Sequence, residues 1–190
     1  SAKALLSSIY EGALVNFDSA LRIEARWFTK VLMTDTCTNM ARTLFLNKSA
    51  LEKGKQRPID AGETNLKKIS VIGSGMMGSG IAYASILQGL DVLLIDQNIE
   101  AAEAGKNKIE MLLSESVKRK KLSEEEKIKL LESVKTASSI EKVSESDLVI
   151  EAVFEDLKLK HSLYKQIEPY LKEGAILASN TSTLPITKLS

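Results

Sequence analysis

The chain has a single cysteine, Cys37, a single histidine, His161, and 3 prolines in 190 residues. A lone cysteine excludes an internal disulfide, and the natural reading is a reducing compartment with Cys37 as a buried, inert thiol. No apolar run approaches the length of a membrane span, so no transmembrane segment is expected. An excess of one charge is missing as well. The 26 basic and 25 acidic residues give a formal net charge of +1, which offers no global attraction to nucleic acid or to an anionic membrane. Aromatics make up only 5% and no basic face interleaves with them, so nucleic acid is not an expected partner. No metal site is expected either. No signal peptide is evident, although the start at Ser1 rather than methionine reads as a cut end and deprives that observation of weight. What the chain does have is 44% hydrophobic residues, enough for one medium domain with a smaller appendage.

The most informative stretch runs from Lys68 to Asp96. It reads as an apolar strand, then Gly73-x-Gly75-x-x-Gly78, a helical run and a second strand closed by an acid. Each part serves the binding of a pyrophosphate-linked cofactor by a βαβ unit. Gly73 permits the tight turn out of the strand. Gly75 removes a side chain where the pyrophosphate approaches, and Gly78 lets the helix pack close to the first strand. Free amides at the helix start, Met76 and Met77 among them, then face the phosphates without a lysine. Asp96 lies about 20 residues beyond the glycines, where a carboxylate hydrogen-bonds an adenosine ribose hydroxyl. Gln97 and Asn98 follow, with no nearby arginine to receive a 2′-phosphate, so the expected cofactor is NAD rather than NADP.

Residues 1–53 carry helical patterns and almost no strand signal, 54–67 read as a linker, and 68–190 hold the alternating elements. Between Asp18 and Met33, Leu21, Ala25, Phe28 and Leu32 form one apolar stripe and Ile23, Trp27 and Val31 another. Such a helix calls for more than one neighbour. Asp35 or Thr36 is the expected cap of a further helix through Met40, Leu44 and Phe45. Beyond Asp96 the pattern predicts a helix over about 100–117, a capping box from Ser123 to Glu126, and strands at 134–136, 148–153 and 175–178, with Gly174 as a helix stop. The fold class is therefore α/β: a Rossmann-like doubly wound parallel sheet preceded by a small all-helical segment. Ligands are expected outside the carboxyl ends of the strands, near 151–155 and 179–182.

The blocks VIGSGMMGSGIA, DLVIEAVFEDLKLK and ASNTSTLPI resemble those of the L-3-hydroxyacyl-CoA dehydrogenase family, in particular the multifunctional α subunits of bacterial fatty acid oxidation complexes. The resemblance spans nearly the whole chain. More loosely, IYEGALVNFDSALRIEARWFTKVLMT is similar to the helical tail after the enoyl-CoA hydratase domain of multifunctional members. It implies oxidation of the 3-hydroxyl of an acyl-CoA in β-oxidation, with hydride passing to NAD. It places Gly73, Ser74, Gly75, Met76, Met77, Gly78, Asp96, Gln97, Ala152, Val153 and Asn180 around the cofactor, and Glu155 and Lys160 at its nicotinamide half. Ser182 would touch both cofactor and substrate hydroxyl, since a hydroxyl donates and accepts and so holds the reacting carbon in line.

In the family the general base is a histidine of an His-x-x-Asn-Pro block, which the resemblance places beyond Ser190, with the hydratase glutamates before Ser1. NAD binding without turnover is therefore expected of this chain. His161 reads as a solvated helix position. Arg119 and Lys120, within the basic run 118–121, are weighed as contacts to coenzyme A phosphates against a plain solvated helix end. The Met76 and Met77 side chains read as packing groups. Self-association is expected, a thiolase subunit is the implied partner of a longer protein, and the implied location is the bacterial cytoplasm, with mitochondrion or peroxisome kept open. The alternative is a free-standing NAD(H)-sensing module, which needs no substrate-facing hydroxyl at Ser182.

Overall fold

A computed structural model describes residues 1–58, 62 and 65–189. The chain divides into two compact units, Ser1–Glu63 and Thr64–Ser190. Part of the expected linker, 59–61 and 63–64, lies outside the described residues.

The first unit is helical. Helix α1 (Ala2–Gly12) and helix α2 (Phe17–Leu32) run antiparallel, with Gly12 beside Ala20 and Leu5 near Phe28 and Val31. Asn16 caps α2 by accepting the Ser19 amide, so the helix starts where a short polar side chain replaces a missing carbonyl. Glu11 accepts from the Trp27 indole at 3.0 Å and pairs with Arg26, which fixes the register of the hairpin. Of the two stripes on α2, Ile23, Trp27 and Val31 are half-buried, while Leu21, Phe28 and Leu32 are exposed. Helix α3 (Asp35–Met40) runs through a π-helical stretch, Ala41–Asn47, into α4 (Lys48–Glu52). Its cap is Thr34 rather than Asp35 or Thr36, because the Thr34 hydroxyl reaches the Cys37 amide. Cys37 is half-buried rather than enclosed.

In the second unit every strand is parallel. The elements are β1 (Lys68–Ile72), α5 (Met76–Ile86), β2 (Asp91–Ile95), α6 (Ile99–Lys118), α7 (Glu124–Glu132), β3 (Val134–Ala137), β4 (Leu148–Glu151), α8 (Leu157–Ile167), β5 (Ile176–Ser179) and α9 (Ile186–Leu189). The sheet order is β3-β2-β1-β4-β5, which reverses direction between β1 and β4. Register brings Ile72 level with Ile95 and Glu151, and Glu151 level with Ser179, so the carboxyl ends form one row facing a crevice. Two clusters form the core. Val71, Leu94, Ile109 and Leu113 build one, and Ile72, Val149, Ile167 and Leu189 the other. The Ser123–Glu126 capping box forms as expected.

β4 ends two residues earlier than its apolar run suggests. The Glu151 carboxylate folds back to accept the Val153 amide at 2.8 Å, turning the chain out of the sheet. Among the described residues no helix is long and apolar enough to cross a membrane, and no group of three or more acidic, histidine or cysteine side chains could hold a metal.

Candidate dinucleotide site

A cleft of about 660 Å³ opens where the strand order reverses, lined by Gly73, Gly75, Asp96, Gln97, Ala152 and Val153 with Phe154, Leu159 and Leu163. Its floor is the glycine turn. Gly73 has φ +98°, and a Cβ there would meet the Ala152 carbonyl oxygen at 2.6 Å. A Cβ on Gly78 would sit 1.7 Å from the Gly73 oxygen and touch Val71, so α5 lies against β1 only because position 78 is bare. Gly75 meets nothing within 4 Å: its open side is the space for an incoming group. α5 begins at Gly75 without a side-chain cap, which leaves its first amides for an anion. Met76 and Met77 are exposed rather than packed, since they begin α5 on its open side.

Asp96 sits beside this turn. Its Oδ2 accepts from the Ser74 amide at 2.7 Å and the Ser74 hydroxyl at 2.6 Å, and its Oδ1 accepts from the Gln97 amide at 2.8 Å. Partial burial pushes its carboxyl up, but the Ser74 and Gln97 donors and the Lys108 charge outweigh that and hold it below the usual carboxylate value. Oδ1 retains acceptor capacity for a sugar hydroxyl. A dinucleotide thus fits the site on three counts: an open glycine, free amides and an ionised acceptor.

Outside the cleft lining, β4, α8 and β5 build an ionic cluster. Glu151 is fully buried, and its Oε2 accepts from Tyr164 at 2.9 Å, Ser179 at 2.7 Å and the Lys160 ammonium at 3.1 Å. Lys160, only 1% exposed, also pairs with Glu155 at 2.6 Å. Burial lowers the Lys160 pKa, but the two carboxylates more than compensate and raise it. Lys160, followed by the Thr181 hydroxyl, draws the Glu155 carboxyl down from 4.5 to about 2. Glu155 also accepts from Thr183 at 3.3 Å, so it straps the loop that follows β5.

The structure therefore brings the glycine turn, Asp96, Gln97, Ala152 and Val153 into one cleft. Glu155 sits exposed beyond it, and Asn180 and Ser182 lie exposed on the strapped loop. The Lys160 ammonium is turned to the two carboxylates rather than to the cleft. Arg119 pairs with Glu115, and Lys120 follows it in a turn with φ 56°. Both stand at the opposite end of α6 from Asp96, about 30 Å along a 20-residue helix. His161 is half-buried rather than solvated: its Nε2 meets the Lys188 carbonyl.

Several residues escaped the sequence reading. Glu151 shares its strand face with buried Val149, and a carboxylate at such an inward position signals a buried partner. Gly105, alone inside α6, is the second. A Cβ there would strike the Ser74 Cβ at 2.5 Å and Leu94 at 2.8 Å, so its bareness seats α6 on the glycine turn. Lys108 is the third, with its ammonium 3.3 Å from the Ser74 carbonyl.

Residues 68–190 match the family model described as 3-hydroxyacyl-CoA dehydrogenase, NAD binding domain. The chain is 36% identical over 174 residues to a fatty acid oxidation complex subunit alpha of Psychrobacter, covering 91% of this chain and 24% of that protein. It is 35% identical over 185 residues to the same subunit of Pseudomonas paraeruginosa, covering 97% and 26%. The chain thus spans about a quarter of the length of these curated relatives. Among solved structures, (S)-3-hydroxybutyryl-CoA dehydrogenase from Ralstonia eutropha aligns with a TM-score of 0.64 and 36% identity, over 66% of this chain and 44% of that one. The 3-hydroxybutyryl-CoA dehydrogenase of Escherichia coli gives 0.64 and 35%, over 66% and 27%. By the glycine turn, the acid after β2 and this match, the chain belongs to the 3-hydroxyacyl-CoA dehydrogenase family, through that family's NAD-binding domain.

Proposed function

We propose that this chain is the cofactor-holding part of an enzyme that oxidises the 3-hydroxyl of an acyl-CoA to a ketone during fatty acid β-oxidation. The observation that carries the reading is the pairing of the open Gly75 turn with the Asp96 carboxylate in one cleft. Bound NAD supplies the hydride acceptor. The amides of the 73–78 turn hold the diphosphate, Asp96 and Gln97 hold the adenosine ribose, and Ala152 and Val153 form the wall beyond. Glu155 and Asn180 border the nicotinamide, and Lys160 acts by fixing Glu155. Ser182 orients the substrate hydroxyl, and its loop is strapped by Glu155 through Thr181 and Thr183. His161 is assigned no proton transfer, because its ring faces the Lys188 carbonyl.

Arg119 and Lys120 are assigned to the coenzyme A phosphates. Residues 1–53 are read as the connecting helical segment, 54–67 as linker and 68–190 as the cofactor domain. The complex-subunit name of the curated relatives supports a partner subunit for the longer protein; a thiolase subunit and self-association are the proposed contacts, in the bacterial cytoplasm.

Calorimetric titration tests the reading. NADH binds the chain at least about tenfold more tightly than NADPH, because a 2′-phosphate would face Asp96 as a like charge. No heat with NADH, or tighter binding of NADPH, ends it. In the longer protein, Ser182→Ala lowers 3-hydroxyacyl-CoA oxidation about 100-fold through lost alignment.

A further inference from the structure

We infer that Ser74, through its side chain, is the positioning residue that sets cofactor choice, by fixing the Asp96 carboxylate against rotation. This rests on the dinucleotide reading above and deepens it. The glycine turn itself does not require a serine at this place, since the turn is made by Gly73 and the open approach by Gly75.

The geometry is one-sided. Both Ser74 donors, the amide at 2.7 Å and the hydroxyl at 2.6 Å, converge on the same oxygen of Asp96, Oδ2. Oδ1 is left with the Gln97 amide and a free lone pair. A carboxylate held this way presents one oxygen to a sugar hydroxyl and cannot swing aside for a second anion. The Ser74 hydroxyl has a single proton and two acceptors in reach, since the Ala101 carbonyl on α6 lies 2.7 Å away. Ser74 is itself held in place. Its carbonyl accepts from the Ser79 hydroxyl at 2.9 Å and from Lys108 at 3.3 Å, and bare Gly105 seats α6 against its Cβ. The residue is 4% exposed, so its effect on the cofactor travels through Asp96 rather than through direct contact of the hydroxyl.

The test compares equilibrium binding of NADH and NADPH by the full chain with Ser74, Ser74→Ala, Asp96→Ala and the double variant. Ser74→Ala keeps the Cβ contact and the amide bond but loses the hydroxyl. NADH affinity falls about tenfold while NADPH affinity holds or rises, so the preference shrinks about tenfold. Ser74→Cys, similar in volume and a weak donor, falls between the two. In the Asp96→Ala background, Ser74→Ala changes either affinity by less than about twofold, because the residue it acts through is gone. A preference within about twofold of the original in Ser74→Ala, or an equal loss in both backgrounds, overturns this inference and leaves the proposed function standing. A chain with Ser74 intact that binds neither dinucleotide overturns both.

Discussion

The helices of the first unit, α1 to α4, bury no residue, whereas β1 alone buries four of its five. Both regions carry abundant leucine, so leucine content does not separate them. What separates them is closure. In the second unit α5 lies on β1 and β2 and α6 on β2 and β3, and Val71, Leu94 and Leu113 are fully buried. In the first, the hairpin of α1 and α2 has a single covered seam, held by Glu11 with Trp27 and Arg26, while Phe28 is 65% exposed. Stability that comes from burial must therefore be concentrated in the sheet unit, with the helical unit relying on caps and one seam. The single tryptophan, Trp27, reports the helical unit by fluorescence, and hydrogen exchange at Val71 reports the sheet unit.

The largest effect is expected at the ionic cluster. Lys160→Ala strands the Glu151 carboxylate in a buried site, and the sheet unit loses about 4 kcal/mol in urea unfolding. Changing both residues, Lys160→Met with Glu151→Gln, recovers much of that loss, because no uncompensated charge remains. Next comes the core. Leu94→Ala costs about 3 kcal/mol, read by Val71 exchange, while Trp27 fluorescence melts at its original midpoint. A shift of both probes together would break the contrast between the units. Gly105→Ala, forcing a Cβ to within 2.5 Å of that of Ser74, costs about 2 kcal/mol and weakens NADH binding as the turn shifts.

How much of this was legible follows the range of the interactions. The glycine turn, the Ser123 capping box and the strand–helix alternation are local, and residue type and spacing reveal them. Gly78 reads from sequence as a close approach, and the structure supplies its partner, the Gly73 oxygen. The ionic cluster is different. Glu151, Lys160, Tyr164 and Ser179 come from β4, α8 and β5, and only the register that sets Glu151 level with Ser179 unites them. Likewise Ser74, Ala101, Gly105 and Lys108 meet because α6 returns across the turn. The early end of β4 was hidden for another reason: the apolar run continues through Val153, and a side chain rather than hydropathy ends the strand.

A smaller, local effect is expected on acidification. Glu155 ionises at about 2 in the folded chain against an ordinary 4.5, so its bonds stabilise the fold above 4.5 and are lost as pH falls through the window down to about 2. Lys160, whose pKa is raised, stays charged throughout that window. The loop after β5 then loosens: exchange of the Leu184 amide, which donates to the Thr181 hydroxyl at 3.1 Å, accelerates across it, while Val71 in the sheet keeps its protection. Equal acceleration at both amides would assign acid sensitivity to the whole unit rather than to the strap.

The smallest effect is expected on the uncovered stripe of α2. Phe28→Ala removes a ring that is 65% exposed, and truncating a side chain that already faces water changes stability by less than about 0.5 kcal/mol. The adjoining, more buried stripe supplies the control. Val31→Ala, on the half-buried side against α1, costs about 1 kcal/mol by Trp27 fluorescence. If the two substitutions cost the same, a second surface covers Phe28 in solution, and the helical unit is closed by something other than its own hairpin. Repeating the Phe28→Ala measurement across a hundredfold range of protein concentration then identifies self-association, since only a covering copy makes the cost depend on concentration.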